Sequence, residues 1–91
     1  MLSTLNLIEL LKNITILYVE DDEDTIEVMK NTLSEFSKNI IIAKNGEEAI
    51  NIVNTKDINL IITDIEMPVK NGIEFIREIR STNLTIPIIV F

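Results

Sequence analysis

Four short aliphatic runs, separated by segments of mixed polarity, constrain the fold of this chain more than any other feature. They are rich in Ile, which favours extended strands, and they are apolar at consecutive rather than alternate positions. Strands that are buried on both faces have this pattern, and such strands are typical of parallel sheets covered by helices. The predicted strands are Ile14–Val19, Ile40–Ala43, Leu60–Thr63 and Ile86–Phe91.

The segment after the first run has the pattern of a helix. Asp22, Glu23 and Asp24 open it, and acidic residues in a first turn interact favourably with the helix dipole. Apolar residues then recur at the three- and four-residue spacing of a buried stripe. We predict a helix that ends near Ser37–Asn39, with a stripe formed by Ile26, Met29, Leu33 and Phe36.

Two further helical segments connect the later strands. A turn at Lys44–Gly46 precedes one segment, and a Pro- and Gly-containing loop precedes the other. The spacing of their apolar residues predicts both helices. The first starts at Glu47 and buries Ala49, Ile50 and Val53; the second is marked by Ile73, Ile76 and Ile79 and ends near Arg80.

The order of these elements is βαβαβαβ with short connections. That order predicts an α/β fold with a doubly wound parallel sheet and right-handed crossovers. We assign residues 14–91 to one domain and residues 1–13 to an N-terminal helical extension, in which Thr4–Lys12 has amphipathic spacing.

Composition limits the classes of function. The chain has 91 residues, a net charge of −7 and no Cys. Its length predicts one small domain, and the absence of Cys excludes disulfides and thiolate metal ligands. Its acidity argues against a nucleic-acid surface. Neither a signal peptide nor an apolar run long enough to cross a membrane is present in the sequence. We expect a cytoplasmic protein that binds neither membrane nor nucleic acid.

Acidic residues follow two of the predicted strands. Glu20 and Asp21 come after the first, and Asp64 comes after the third. Ligands of open α/β sheets bind beyond the carboxyl ends of the strands, and parallel neighbours would bring these carboxylates together. Their repulsion should raise at least one pKa unless a cation compensates. Oxygen ligands favour Mg²⁺ or Ca²⁺, and an Asp beside a metal can act as a nucleophile.

Each of these features also has a simpler explanation. The run Asp22–Asp24 is best explained as a solvated helix start, and Asp64 alone could be a turn residue. Met67–Pro68 could form an ordinary turn, and Gly72 could serve only backbone conformation. Their joint occurrence after two strands favours a functional site.

The residues above closely resemble the response-regulator receiver domain, which has a CheY-like, flavodoxin-like fold and acts in two-component signalling. The resemblance covers nearly the whole chain from Ile14 to Phe91. Glu20 and Asp21 match the family's acidic pair, and Asp64 matches its phosphoacceptor. The loop-shaping residues of the family's Met-Pro-x-x-x-Gly loop correspond to Met67, Pro68 and Gly72.

The resemblance implies a phosphorylation switch rather than a turnover enzyme. A histidine kinase or phosphotransfer protein would present a phosphohistidine, and Asp64 would accept the phosphoryl group as an acyl phosphate. Mg²⁺ would be held by Glu20, Asp21, Asp64 and the backbone carbonyl of Glu66, with Glu20 acting through a water.

The resemblance is incomplete at the C-terminus. Family members use a Ser or Thr after the fourth strand and a Lys after a fifth strand, and no residue of this sequence matches either role. The last α-β-α portion of the fold is also without a counterpart. We therefore expect a fragment with impaired switching, which could self-associate through an exposed fourth strand, Ile86–Phe91.

Two other functions remain open from the sequence. A receiver-like module that binds partners without being phosphorylated would also lack the Ser/Thr and Lys positions. A Mg²⁺-dependent aspartyl-phosphate hydrolase would need a second Asp where Glu66 stands, and further loops that 91 residues do not provide. An EF-hand loop beginning at Asp21 is excluded, because Ile26 occupies its Gly position.

Overall fold

A computed structural model describes residues 9–10, 12–66, 71–82 and 85–90. Of the predicted N-terminal helix, the described residues Glu9, Leu10 and Lys12 are helical. Met67 and Pro68, predicted to shape the loop after the third strand, lie outside the described residues.

Four parallel strands form one sheet in the order β2-β1-β3-β4. The central strand β1 pairs with β2 on one side and with β3 on the other. This sheet, with three helices in the connections, confirms the predicted α/β fold. The elements are β1 Thr15–Val19, α1 Glu23–Leu33, β2 Asn39–Ala43, α2 Gly46–Thr55, β3 Leu60–Thr63, α3 Gly72–Thr82 and β4 Ile88–Val90.

Buried residues form two clusters, one on each side of the sheet. Alternate residues of a strand point to opposite faces, so β1 contributes to both clusters. Residues of α2 and α3 complete the larger cluster, whereas α1 contributes Ile26 to the smaller one. The larger contains Leu17, Val19, Ala43, Ala49, Ile61, Phe75, Ile79 and Ile86; the smaller contains Ile16, Tyr18, Ile26 and Ile62.

Helix α1 is shorter than its apolar spacing predicted. It ends at Leu33 rather than near Ser37–Asn39, and Phe36 lies beyond it with 37% of its surface exposed. The prediction that Phe36 belongs to the buried stripe was therefore wrong. Buried Ser37 explains the early end, because its hydroxyl donates to the Ile14 carbonyl at 2.9 Å and fixes the turn into β2.

The buried face of α3 includes only one of the three Ile residues that predicted the helix. Phe75 and Ile79 are fully buried, whereas Ile73 is 47% exposed. The helix begins at Gly72, which packs against the sheet edge and sets the buried positions at 72, 75 and 79. The predicted helix is present and contains Ile73, Ile76 and Ile79, although Ile73 lies on its exposed face.

Strand β4 is shorter than the predicted Ile86–Phe91. Ile86 is buried in the larger cluster before the strand begins, and the Pro87 carbonyl accepts a hydrogen bond from the Ile61 amide at 3.0 Å. Within the described sheet β4 pairs only with β3, and Ile89 and Val90 are 51% and 41% exposed. Phe91 lies outside the described residues.

Asn59 fixes the alignment of β1 and β3 at the amino ends of the strands. Its amide donates to the Thr15 carbonyl at 2.9 Å, and its side-chain oxygen accepts from the Thr15 amide at 2.8 Å. This two-bond clamp starts a register in which Val19 lies opposite Thr63. The residues that follow, Glu20 and Asp64, consequently leave the sheet side by side.

No helix within the described ranges is long and apolar enough to span a membrane.

Candidate functional site

The carboxyl ends of β1 and β3 bring the predicted acidic residues to one edge of the sheet. The Asp64 amide donates to the Val19 carbonyl at 3.1 Å, and the Glu20 amide donates to the Ala43 carbonyl at 3.0 Å. Backbone hydrogen bonds therefore position the first residue after each strand. Helices α1 and α3 follow β1 and β3 in the chain and begin beyond this edge. A ligand of an open α/β sheet binds at such an edge.

Glu20, Asp21 and Asp64 form a single acidic cluster. Each offers one carboxylate oxygen, and these atoms all lie within 4.8 Å of one another. Glu20 is buried, Asp64 is partly buried and Asp21 is exposed. The prediction that the carboxylates of β1 and β3 meet at one edge is confirmed by these positions.

The buried carboxyl of Glu20 carries most of the electrostatic strain of the cluster. Burial, followed by the charge of Asp64 and a hydrogen bond with its side chain, raises the pKa of Glu20 from 4.5 to about 7. Its Oε2 atom is buried without a hydrogen-bond partner among the described residues. The predicted rise of at least one pKa is thus confirmed, and it falls on the most buried acid.

Tyr18 adds a buried hydroxyl to the same side of β1 as Glu20. Burial, and then the negative charges of Glu20, Asp64 and Asp22, raise the pKa of Tyr18 to about 12. Its hydroxyl therefore stays protonated well above neutral pH. Tyr18 could be identified from the sequence, because its position two residues before Glu20 places both side chains on one face of the strand.

The donor set fits a hard divalent cation such as Mg²⁺. Three carboxylates converge, and one buried oxygen, Oε2 of Glu20, has no partner among the described residues. A cation at this position would satisfy that oxygen and offset the repulsion that raises the pKa of Glu20. Glu66 is exposed two residues after Asp64, and the role of its carbonyl stays a prediction.

Hydrogen bonds hold the backbone immediately after β3. The Ile65 amide donates to Oδ1 of Asp64 at 2.7 Å, and the Thr63 hydroxyl donates to the Asp64 carbonyl at 2.8 Å. The Gly72 amide donates to the Ile65 carbonyl at 2.8 Å. These bonds tie the Asp64 side chain and its loop to the start of α3.

Gly72 fits this site because it has no side chain. A Cβ atom there would lie 2.3 Å from the Asp64 carbonyl oxygen and 2.8 Å from the Ile65 Cα. Both neighbours are backbone, so a side chain at this position would displace the loop that carries Asp64. This close approach gives a physical basis for the predicted loop-shaping role of Gly72.

The rest of the acidic run serves helix α1. Asp22 caps the helix, with Oδ2 accepting from the Thr25 amide at 2.9 Å and from the Thr25 hydroxyl at 2.6 Å. The same hydrogen bonds lower the pKa of Asp22. Glu23 forms an exposed ion pair with Lys44, which follows β2. The interpretation of Asp22 and Glu23 as a helix start therefore agrees with their contacts.

Residues 16–91 match the family described as the response regulator receiver domain. Among curated proteins, the transcriptional regulatory protein CpxR of Escherichia coli (strain K12) is 36% identical over 75 residues, covering 82% of this chain and 32% of CpxR. The alkaline phosphatase synthesis transcriptional regulatory protein PhoP of Bacillus subtilis is 32% identical over 78 residues, covering 86% of this chain and 32% of PhoP. The chain thus spans about a third of the length of these relatives.

Solved structures of similar fold come from the same class of protein. Response regulator TrrA of Thermotoga maritima, solved in complex with Mg²⁺ and BeF, is 38% identical with a TM-score of 0.78, covering 84% of this chain and 66% of TrrA. Chemotaxis response regulator CheY4 of Vibrio cholerae is 28% identical with a TM-score of 0.79, covering 85% of this chain and 66% of CheY4.

Proposed function

Because the chain belongs to the response regulator receiver domain family, we propose that it accepts a phosphoryl group on Asp64 from a histidine kinase or phosphotransfer protein. The observation that carries the proposal is the cluster of Glu20, Asp21 and Asp64 within 4.8 Å at the carboxyl ends of two neighbouring strands. Asp64 is the partly buried member of that cluster, and its backbone is held on both sides.

In the proposed reaction, a carboxylate oxygen of Asp64 attacks the phosphorus of a phosphohistidine. The new O–P bond forms an acyl phosphate, the P–N bond breaks, and the leaving imidazole takes up a proton. The Ile65 amide, 2.7 Å from Oδ1, orients the carboxylate before attack. Orientation of this kind lowers the activation barrier because the carboxylate has already lost its rotational freedom before the reaction.

The residues proposed to hold Mg²⁺ are Glu20, Asp21, Asp64 and, through its backbone carbonyl, Glu66. When bound, Mg²⁺ supplies positive charge that offsets the negative charge on the phosphoryl oxygens. Glu20 contributes a buried carboxyl whose Oε2 lacks a partner among the described residues, and exposed Asp21 reaches the cluster from the solvent side.

The proposal does not include turnover of a substrate. Aspartyl-phosphate hydrolases place a second Asp two positions after the nucleophile as acid and base, and exposed Glu66 stands there instead. The acyl phosphate on Asp64 is instead a transient modification that water removes.

Phosphorylation by a small phosphodonor tests the proposal. With acetyl phosphate and Mg²⁺, the intact mass of the chain is expected to increase by one phosphoryl group, and Asp64→Asn is expected to abolish the increase. Asp57→Asn is the matched control, because exposed Asp57 lies before β3 at the opposite end of the strand. Equal labelling of Asp64→Asn and the parent chain would contradict the assignment.

We also propose that β4 mediates self-association of this chain. In the described sheet the strand has β3 as its neighbour on one side, and Ile89 and Val90 on it are 51% and 41% exposed. An exposed apolar edge strand pairs readily with another strand. Light scattering should show concentration-dependent association that Ile89→Lys reduces; a monomer at high concentration would contradict this.

A further inference from the structure

The peptide unit between Asp64 and Ile65 is held at both of its ends. Its carbonyl oxygen accepts a hydrogen bond from the Thr63 hydroxyl at 2.8 Å, and its amide donates to Oδ1 of Asp64 at 2.7 Å. A peptide unit is planar and rotates as one body. The hydroxyl that fixes the carbonyl therefore also fixes the direction of the amide that contacts the acceptor carboxylate.

Thr63 is an unexpected residue at the end of β3. Its side chain is completely buried, in register with Val19 of β1 and Val90 of β4. A Val would occupy nearly the same volume without introducing a polar atom. Buried hydroxyl groups require a partner, and the partner of this one is the carbonyl of the residue that carries the candidate nucleophile.

Gly72 limits the same peptide from a third direction. Its Cα lies so close that a Cβ would come within 2.3 Å of the Asp64 carbonyl oxygen. The carbonyl thus lies between the Thr63 hydroxyl and the start of α3. The Gly72 amide also binds the next carbonyl along the chain, that of Ile65, at 2.8 Å.

We propose that Thr63 is a positioning residue for the reaction at Asp64: its hydroxyl fixes the Asp64–Ile65 peptide, and the Ile65 amide in turn orients the acceptor carboxylate. This inference rests on the proposed phosphoryl transfer to Asp64. It adds a residue that touches neither the phosphoryl group nor the metal ligands' side chains and acts through one rigid peptide. Hydrogen bonds linked in this way also polarise one another.

Two substitutions separate the hydroxyl of Thr63 from its volume. Thr63→Val keeps the branched shape and removes the hydroxyl, whereas Thr63→Ser keeps the hydroxyl and removes a methyl group. With acetyl phosphate at saturating Mg²⁺, we expect Thr63→Val to slow phosphorylation about tenfold, since small misplacement of a reacting group lowers rates strongly. Thr63→Ser is expected to stay within about twofold of the parent rate, because the positioning hydrogen bond remains.

Denaturant unfolding of each variant provides the control for a purely structural role. The inference is supported if the phosphorylation rate depends on the presence of the hydroxyl and not on the unfolding free energy of the variant. Equal phosphorylation rates for folded Thr63→Val and Thr63→Ser overturn it. If the parent chain itself is not phosphorylated, the proposed function fails instead, so the two failures are distinguishable.

A second measurement does not depend on the folding of Thr63→Val. Hydrogen exchange of the parent chain and Thr63→Ser, followed by NMR, should show a protected Ile65 amide although the Ile65 side chain is 37% exposed. Exchange of this amide at the rate of an unstructured peptide would overturn the inference, because the amide would then not be bound to Asp64.

Discussion

Replacing Glu20 with Gln should stabilise the metal-free chain at alkaline pH while abolishing its stabilisation by Mg²⁺. The carboxyl of Glu20 is 5% exposed, lies beside Asp64, and has a buried oxygen without a described partner. Its ionised form is therefore unfavourable in the folded state. Gln has nearly the same shape but no charge, so the substitution removes this penalty together with one negative charge of the proposed Mg²⁺ site.

The size of the effect follows from the pKa of Glu20. A rise from 4.5 to about 7 corresponds to about 3 kcal/mol of unfolding free energy when the group is ionised in both states. The folded state binds the proton more tightly than the unfolded state. Stability from this group is consequently greatest below pH 4.5 and is lost as the pH rises towards about 7.

Urea unfolding at pH 5 and pH 8, with a chelator present, measures this effect. The difference between Glu20→Gln and the parent chain should increase from pH 5 to pH 8 by about 2.5 kcal/mol, because the carboxyl of the unfolded chain is already largely ionised at pH 5. Comparing the two proteins cancels the contributions of acids distant from Glu20, so the difference reports on Glu20 and its contact with Asp64. With Mg²⁺ in place of the chelator, the parent should gain stability and the variant should not.

Glu27→Gln is the matched control, because Glu27 is an exposed acid in the middle of α1. It should leave both the pH dependence and the response to Mg²⁺ unchanged. If Glu20→Gln lowers stability at pH 8, or if its effect does not depend on pH, the reasoning about a strained buried carboxyl is wrong.

Three further predictions concern the cluster and the backbone contacts that position it. Mg²⁺ at 100 times its dissociation constant should raise the unfolding free energy by about 2.7 kcal/mol, and Asp21→Ala should remove that gain in a thermal melt if Asp21 is a ligand. Asn59→Ala leaves the Thr15 amide without its side-chain acceptor, so urea unfolding should show a loss of about 1 kcal/mol. Gly72→Ala places a methyl group 2.3 Å from the Asp64 carbonyl; we expect a loss of about 1–3 kcal/mol and slower phosphorylation, and unchanged values would contradict the close approach.

The sequence was sufficient to predict the sheet and the position of the acidic cluster. Runs such as Leu60–Thr63 have the pattern of strands in a covered parallel sheet, and the order of elements then places Asp64 beside Glu20. Both conclusions depend on patterns within short segments and on the direction of the strands. They require no knowledge of side-chain contacts.

The sequence was less informative where a distant contact decides the local structure. Leu33 ends α1 because Ser37 binds the carbonyl of Ile14, which is 23 residues away. Phe75 rather than Ile73 is buried because Gly72 packs on the Asp64 backbone and fixes the rotation of α3. Helical spacing alone does not contain either contact.

The role proposed for Thr63 was also inaccessible from the sequence. A Thr in an aliphatic strand is compatible with ordinary β propensity, and nothing in the spacing shows where its hydroxyl points. The contact with the Asp64 carbonyl becomes visible only when the backbone beyond β3 is built.

Transfer from a phosphohistidine donor is the most direct test of the central claim. The chain should be incubated with Mg²⁺ and a histidine kinase or phosphotransfer protein carrying labelled phosphate on its His, and the modified residue should be mapped by mass spectrometry. The account predicts Mg²⁺-dependent label on Asp64, none on Asp64→Asn, and a strong reduction in Asp21→Ala. Label on another residue, or undiminished transfer to Asp64→Asn, would contradict it.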